Sequence, residues 1–227
     1  MIDDLATPLV LSLKVAGTAT LIALALGTLA GFALARGRFP GRDTLDALLL
    51  LPMVLPPTVL GYYLLVALGR GTPFGAWLEG TLGVRLIFTW QGAAIAAAVV
   101  AFPLVFKGAR AAFESIDPTL EKAGRALGLS APVIALRITL PLAWRAIVAG
   151  GMLAFARALG EFGATLMVAG SIPGRTQTMS LAIYEAVQAG DDARANVLVL
   201  VASATCVLLL VAAARLVRRG HVRAEVL

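Results

Sequence analysis

Cysteine and histidine each occur once in this sequence, and charge is sparse. Cys206 has no second cysteine to pair with, which excludes an intrachain disulfide and leaves the redox compartment open. A lone His221 is too little for a His/Cys metal centre. No G-x-x-x-x-G-K-S/T run is present, so ATP is not handled here through that phosphate-binding loop. Charged residues make up only 14% of the 227 and hydrophobic ones 59%, and so much apolar surface exceeds what one soluble core of this length buries.

What is present is a series of long apolar runs. A bilayer core of about 30 Å takes roughly 20 residues of helix at a rise of 1.5 Å each. Uncharged stretches cover 15–35, 47–69, 86–106 and 195–214, and a fifth apolar stretch, 146–170, is interrupted by Arg157 and Glu161. The sequence therefore predicts an all-α, polytopic transmembrane bundle of about five spans, at 12–35, 46–69, 86–106, 142–170 and 195–215, with a tail at 217–227. The N-terminus reads Met-Ile-Asp-Asp, acidic where a signal peptide is basic, so the first run is expected to stay uncleaved.

A net charge of +6 and a pI near 10.2 would fit nucleic-acid binding if the basic residues gathered on a soluble domain or tail. Instead they lie between apolar runs, and no nucleic-acid partner is expected. Sorting them by span puts Arg36, Arg38, Arg42, Lys107, Arg110, Lys122, Arg125, Arg137, Arg145, Arg215, Arg218, Arg219 and Arg223 on one side, thirteen of the 19. The positive-inside rule makes that side cytoplasmic, with the N-terminus outside and the C-terminus inside. Trp77 and Trp90 fall near outer span ends and Trp144 near an inner one, where amphipathic rings favour the headgroup zone.

The basic loop 107–145 carries helix signals of its own: Asp117 as N-cap, Pro118 at the first helical position and Gly128 as a stop. They predict a short helix over 118–127. On it Leu120, Ala123, Gly124 and Leu127 follow the i, i+3, i+4, i+7 spacing of one face, with Glu121, Lys122 and Arg125 elsewhere. Two of those four are small and allow close backbone approach. The pattern itself is equally that of a helix lying on the membrane surface or on its own bundle.

Two spans depart from plain apolar helix. Pro52, Pro56 and Pro57 lie in the second, where each removes a backbone donor, so the helix should bend or break there, as a packing kink or as a lining of a polar pathway. In the fourth, Arg157 and Glu161 stand four residues apart on one face and within pairing reach. Charges at that depth are costly and face the bundle interior. An arginine alone would attract an anion, yet Glu161 cancels much of its field, so the pair reads as a gate or as a structural clasp. Gly160, Gly163 and Ala164 suit close helix contact. The outer loop 171–195 has a Pro173-Gly174 turn and a short helix expected over 180–189, ended by Gly190.

From Glu121 the chain reads EKAGRALGLSAPVIALRITLP, in which Gly128, Ile138, Leu140 and Pro141 are spaced as in the cytoplasmic signature of ABC importer permeases: Glu-Ala-Ala, three residues, Gly, nine residues, Ile, one residue, Leu-Pro. Here Lys122, Ala123 and Gly124 occupy the opening triplet and Glu121 comes one position early. Together with LPMVLPPTVLGYYLL from Leu51 and FARALGEFGATLMVAGSIPGRTQT from Phe155, the segment resembles molybdate ABC transporter permeases along nearly the whole chain.

That resemblance implies a type I importer permease domain over 8–216 in a bacterial cytoplasmic (inner) membrane. It also implies a homodimer, surrounded by membrane lipid, that binds two cytoplasmic ATPase subunits and receives an oxyanion from an extracytoplasmic binding protein. The short helix becomes the coupling helix, with Leu120, Glu121, Ala123, Gly124, Ala126, Leu127 and Gly128 as expected ATPase-contact residues. Pro56, Pro57, Arg157 and Glu161 are the expected pathway or gate residues. No cofactor is expected on this chain, ATP and Mg belong to the partner ATPase, and the permease is no enzyme itself. Tungstate and sulfate or thiosulfate permeases are near relatives by the same likeness. A secondary transporter would need a coupling-ion site and often shows internal repeats, whereas Glu161 is the single intramembrane carboxylate and no repeat is visible.

Overall fold

The computed structural model describes residues 2–37 and 39–222, and every regular element among them is helical. Four helical stretches are long and apolar enough to cross a bilayer, Leu5–Arg36, Trp90–Glu114, Ala131–Leu159 and Asp192–Leu209, and a bent pair of shorter helices makes a fifth. In lipid this is the expected outcome, because a helix satisfies its backbone donors and acceptors within one segment.

Helix α1, Ile2–Arg36, has 35 residues and is about 50 Å long, well beyond a bilayer core. It starts ten residues before the expected span. The second span is broken: α2 runs Arg42–Val54 and α3 Pro57–Leu68, at 111° to one another. Leu55 and Pro56 between them are extended (ψ 142° and 136°), as residues preceding proline tend to be, and Pro57 takes the first helical position of α3, where no donor is missed. At 13 and 12 residues, neither half spans a membrane alone.

Helix α4, Pro73–Leu82, was not expected from hydropathy. Its start is a Thr72 hydroxyl accepting the Gly75 N–H at 3.1 Å, and its end is Gly83 in the left-handed region at φ 64°. Helix α5, Trp90–Glu114, starts on the equivalent Thr89 cap (Gly92 N–H, 3.2 Å) and runs past the expected 106 through Lys107 and Arg110. Helix α6, Pro118–Ala126, is the short helix the loop signals predict. Asp117 accepts the Thr119 N–H at 2.8 Å, and Gly128 at φ 78° ends the turn that follows. Fixing that hydrogen bond holds the Asp117 carboxyl below its ordinary pKa.

Helix α7, Ala131–Ile134, leads through a π-helical turn, Ala135–Thr139, into α8, Leu140–Leu159. The Leu140 N–H reaches back to the Ala135 carbonyl, and Pro141 next to it has no donor to continue the regular ladder, which accounts for the shift in register. The expected single span 142–170 is not one helix. It starts eleven residues earlier, stops at Leu159, and resumes as α9, Gly163–Ala169, after an irregular Gly160–Phe162. Helix α10, Met179–Gln188, precedes Gly190 at φ 71°, and α11 runs Asp192–Val222. Residues 217–222 of the expected tail continue α11, while 223–227, including Arg223, lie outside the described residues, as does Arg38.

The chain divides into two compact units. In one, residues up to Leu13 join Ser171 onward, where Leu5 and Leu9 pack against Met179, Ala182, Ala186, Ala195 and Leu198 of α10 and α11. The Ser12 hydroxyl accepts the Met179 N–H at 2.7 Å, at an α10 start that has no side-chain cap from its own N-cap residue. In the other, Lys14–Gly170, the alanine-rich α5 is the central helix, packed by α8, α9, α2 and α3. Small residues let α1 approach it: a Cβ on Gly31 would come within 2.9 Å of the Arg110 backbone nitrogen. At the far end of this contact Lys14 Nζ lies 3.7 Å over the Trp90 ring, a cation–π pair.

Candidate functional site

The two helix breaks lie side by side. A Cβ on Gly163 at the start of α9 would approach Pro57 Cβ and Thr58 Cγ2 to 3.2 Å, and one on Gly61 of α3 would approach Met167 Cβ to 2.7 Å and Ala164 Cα to 2.9 Å. The backbones of α3 and α9 thus touch along one turn; Gly61 leaves no room for a side chain, and at Gly163 the neighbours would have to yield by a few tenths of an ångström. Leu60, Ala96, Val100, Ala164 and Val168 close an apolar cluster around the contact.

Glu161 sits in the second break and is 2% exposed. Its Oε1 accepts the Ala164 N–H at 2.8 Å, capping α9, and its Oε2 lies 2.7 Å from Arg157 Nη1 in the last turn of α8. Each charge suits its helix end, the cation at a C-terminus and the carboxylate at an N-terminus. The Arg157 side chain remains 35% exposed, so the pair has one buried and one accessible member. The structure thus brings the four expected pathway or gate residues to one neighbourhood through the contact of α3 with α9. The spacing of Arg157 and Glu161 predicted their pairing. It did not predict the capping role of Glu161, because the helix was expected to continue through residue 161.

Helix α6 stands on the bundle by one face. Glu121 and Gly124 are buried there, and a Cβ on Gly124 would meet Ile134 and Ile138 at 3.1 Å. Leu120, Lys122, Ala123, Arg125, Ala126, Leu127 and Gly128 are exposed, Leu127 to 81%. This changes the expected face in two places. Glu121 and Gly124 turn toward the chain's own spans and offer no outward surface, because residues three apart share the side on which α7 and the π turn pack. Lys122, the departure from the signature triplet, points outward.

Glu121 Oε1 receives Arg36 Nε at 2.9 Å, Arg36 Nη2 at 2.5 Å and the Thr139 hydroxyl at 3.1 Å. Arg36 Nη1 in turn donates to the Phe113 carbonyl at 2.9 Å. Nearby, Arg42 and Arg110 both bond Glu114, Arg110 also pairs with Asp46, and Arg42 Nε donates to the Leu34 carbonyl. Many basic residues of this end are therefore matched within the chain. In the connection between the second and third spans, Arg70 and Arg85 converge on Glu79 at 2.5 and 2.7 Å, and the Arg70 hydrogen bond holds the Glu79 carboxyl below its ordinary pKa.

A family model described as "Binding-protein-dependent transport system inner membrane component" matches residues 23–222. The putative molybdenum transport system permease protein YvgM of Bacillus subtilis is 46% identical over 186 residues, 82% of each chain. The molybdenum transport system permease protein ModB of Escherichia coli K12 is 42% identical over 215 residues, 94% of each. Among solved structures, an inward-facing MetNI methionine ABC transporter chain superposes with a TM-score of 0.74 at 17% identity, covering 96% of this chain and 97% of that one. That likeness carries the helical fold.

Proposed function

Because the chain belongs to the family of binding-protein-dependent transport system inner membrane components, we propose that it is the membrane-spanning permease subunit of an ATP-driven importer of molybdate. The observation that carries this reading is the match to a molybdenum permease across 94% of both chains, which includes the broken spans and the α6 loop together. Permeases of this family are membrane subunits without covalent chemistry of their own. Here that agrees with a chain lacking a phosphate-binding loop.

In this reading ATP and its Mg act on a separate subunit, and the exposed face of α6, with Leu120, Ala123, Ala126 and Leu127, is what that subunit grips. A second copy of the chain completes the pathway, since five spans are few to enclose a polar route. An extracytoplasmic binding protein delivers the oxyanion. ATP binding shifts the spans between inward-open and outward-open arrangements by differential contacts with the two states.

Arg157 and Glu161 serve as the gate. A carboxylate 2.7 Å from the guanidinium cancels most of its attraction for a divalent anion, so the paired state is a closed one rather than a resting binding site. Uptake competition tests the substrate. Membranes holding this chain and its partners should take up labelled molybdate, with excess unlabelled molybdate competing and equal sulfate not. Competition by sulfate equal to that by molybdate would move the assignment to the sulfate permeases.

A further inference from the structure

We propose that Glu121 is a positioning residue that transmits movement of α6 to three spans at once. The inference rests on reading α6 as the helix gripped by the ATPase subunit, and it concerns the face of that helix which the ATPase does not touch.

Three elements meet at one carboxylate, and a fourth joins them through Arg36. Glu121 belongs to α6. Arg36, whose Nε and Nη2 both donate to Oε1, is the last residue of α1. Thr139, the third donor to the same oxygen, closes the π turn that enters α8. Arg36 also holds the Phe113 carbonyl in the last turn of α5. The Glu121 side chain is 11% exposed, and charge-assisted hydrogen bonds in so dry a place resist separation. By contrast, α6 joins the chain through non-helical residues at both ends, 115–117 and 127–130, which by themselves would let it swing.

The π turn gives the link a direction. The regular i to i−4 ladder is interrupted there by an i to i−5 bond, and Thr139 sits at that interruption. A pull on Glu121 therefore displaces the start of α8, the helix that carries Arg157 in its last turn, and at the same time draws on α1 through Arg36. Arg125 stands on the exposed face with Nη2 3.8 Å from the other carboxylate oxygen, so the outer surface of α6 is one side chain away from the node.

The test uses the full complex in proteoliposomes: this chain, its ATPase subunits and the binding protein. Three quantities are measured, namely ATPase co-purification, ATP hydrolysis, and molybdate transported per ATP. For E121Q and for R36E the ATPase subunit is expected to co-purify as in wild type, while molybdate per ATP falls about tenfold, the effect of losing a charge-assisted hydrogen bond. R36E/E121R is expected to recover only part of the coupling, because an arginine at 121 cannot accept the Thr139 hydroxyl and a glutamate at 36 cannot donate to the Phe113 carbonyl. T139V removes one neutral donor and should lower coupling by about threefold, and it keeps the test open if E121Q does not accumulate. Wild-type coupling in E121Q or T139V overturns the inference. So does loss of co-purification in E121Q, which would make Glu121 a docking residue. Failure of the wild-type chain to hold an ATPase subunit at all overturns the docking reading instead, and this inference with it.

Discussion

Glu161 Oε2 lies 2.7 Å from Arg157 Nη1 while Oε1 of the same carboxylate caps the Ala164 N–H, so one side chain closes the end of α8 and opens α9. The two duties separate by substitution. E161Q keeps an oxygen for the cap and loses the charge; E161A loses both. Relative to wild type, E161A should be destabilised by about 2–4 kcal/mol, between the costs of breaking exposed and buried pairs, and E161Q should retain about 1 kcal/mol of that as the cap. Thermal unfolding in detergent measures the order. Equal loss in both variants would remove the capping role.

The capping duty also decides the outcome of charge reversal. An arginine at 161 cannot accept the Ala164 N–H, so R157E/E161R should restore the pair without restoring α9. Accumulation and uptake of the double variant are expected to stay well below wild type. Full recovery would mean that the ion pair alone matters.

Contact between α3 and α9 requires glycine. G61L places its Cβ 2.7 Å from Met167 Cβ and 2.9 Å from Ala164 Cα, both close to the main chain, where little can yield. A loss of about 1–3 kcal/mol or more is expected from overpacking, together with loss of uptake. Leu substituted at Gly80 in α4, where a Cβ meets nothing within 4 Å, is the control and should leave both unchanged.

The two faces of α6 predict opposite phenotypes. L127D alters a side chain 81% exposed and should leave the unfolding temperature of the isolated chain within about 2 °C, since surface changes usually cost under about 0.5 kcal/mol, yet abolish ATPase co-purification. G124L drives a side chain into Ile134 and Ile138 and should destabilise the isolated chain itself. Intact co-purification in L127D, A123W and A126W together would remove α6 as the docking helix.

Asp117 links α6 to pH. Its carboxyl titrates below the ordinary value because the charged form accepts the Thr119 N–H, so the folded state favours the ionised cap. The cap's contribution is present above the unfolded pKa of about 3.9 and disappears as pH falls through the lower folded value. Protection of the Leu120 and Glu121 amides, measured as exchange relative to the intrinsic rate at each pH, should fall on acidification through that window in wild type and show no such step in D117N, which keeps a neutral acceptor.

Legibility followed the physics of each signal. Span positions could be read from apolar runs, because bilayer thickness sets a minimum length that composition reports directly. Helix α6 was readable from Asp117, Pro118 and Gly128, three residues that act locally. Helix α4 carries the same kind of start and stop in Thr72, Pro73 and Gly83, but at ten residues it is too short for the span signal that apolar runs give. The break at Gly160–Phe162 was hidden because a glycine inside an apolar run is as common at helix contacts as at helix ends. The inward turn of Glu121 was illegible for a different reason. Its partner Arg36 lies 85 residues away, and no local pattern reports which face of a short helix a distant arginine will occupy.

In the proposed function, molybdate crosses through this chain only when a separate subunit hydrolyses ATP. Labelled molybdate uptake into proteoliposomes containing the chain, its ATPase subunits and the binding protein tests it most directly. Uptake should require ATP inside together with the binding protein outside, and should vanish when the ATPase subunit is omitted, whatever ion gradient is imposed. Uptake by the chain alone, driven by a proton or sodium gradient, would instead make it a secondary transporter.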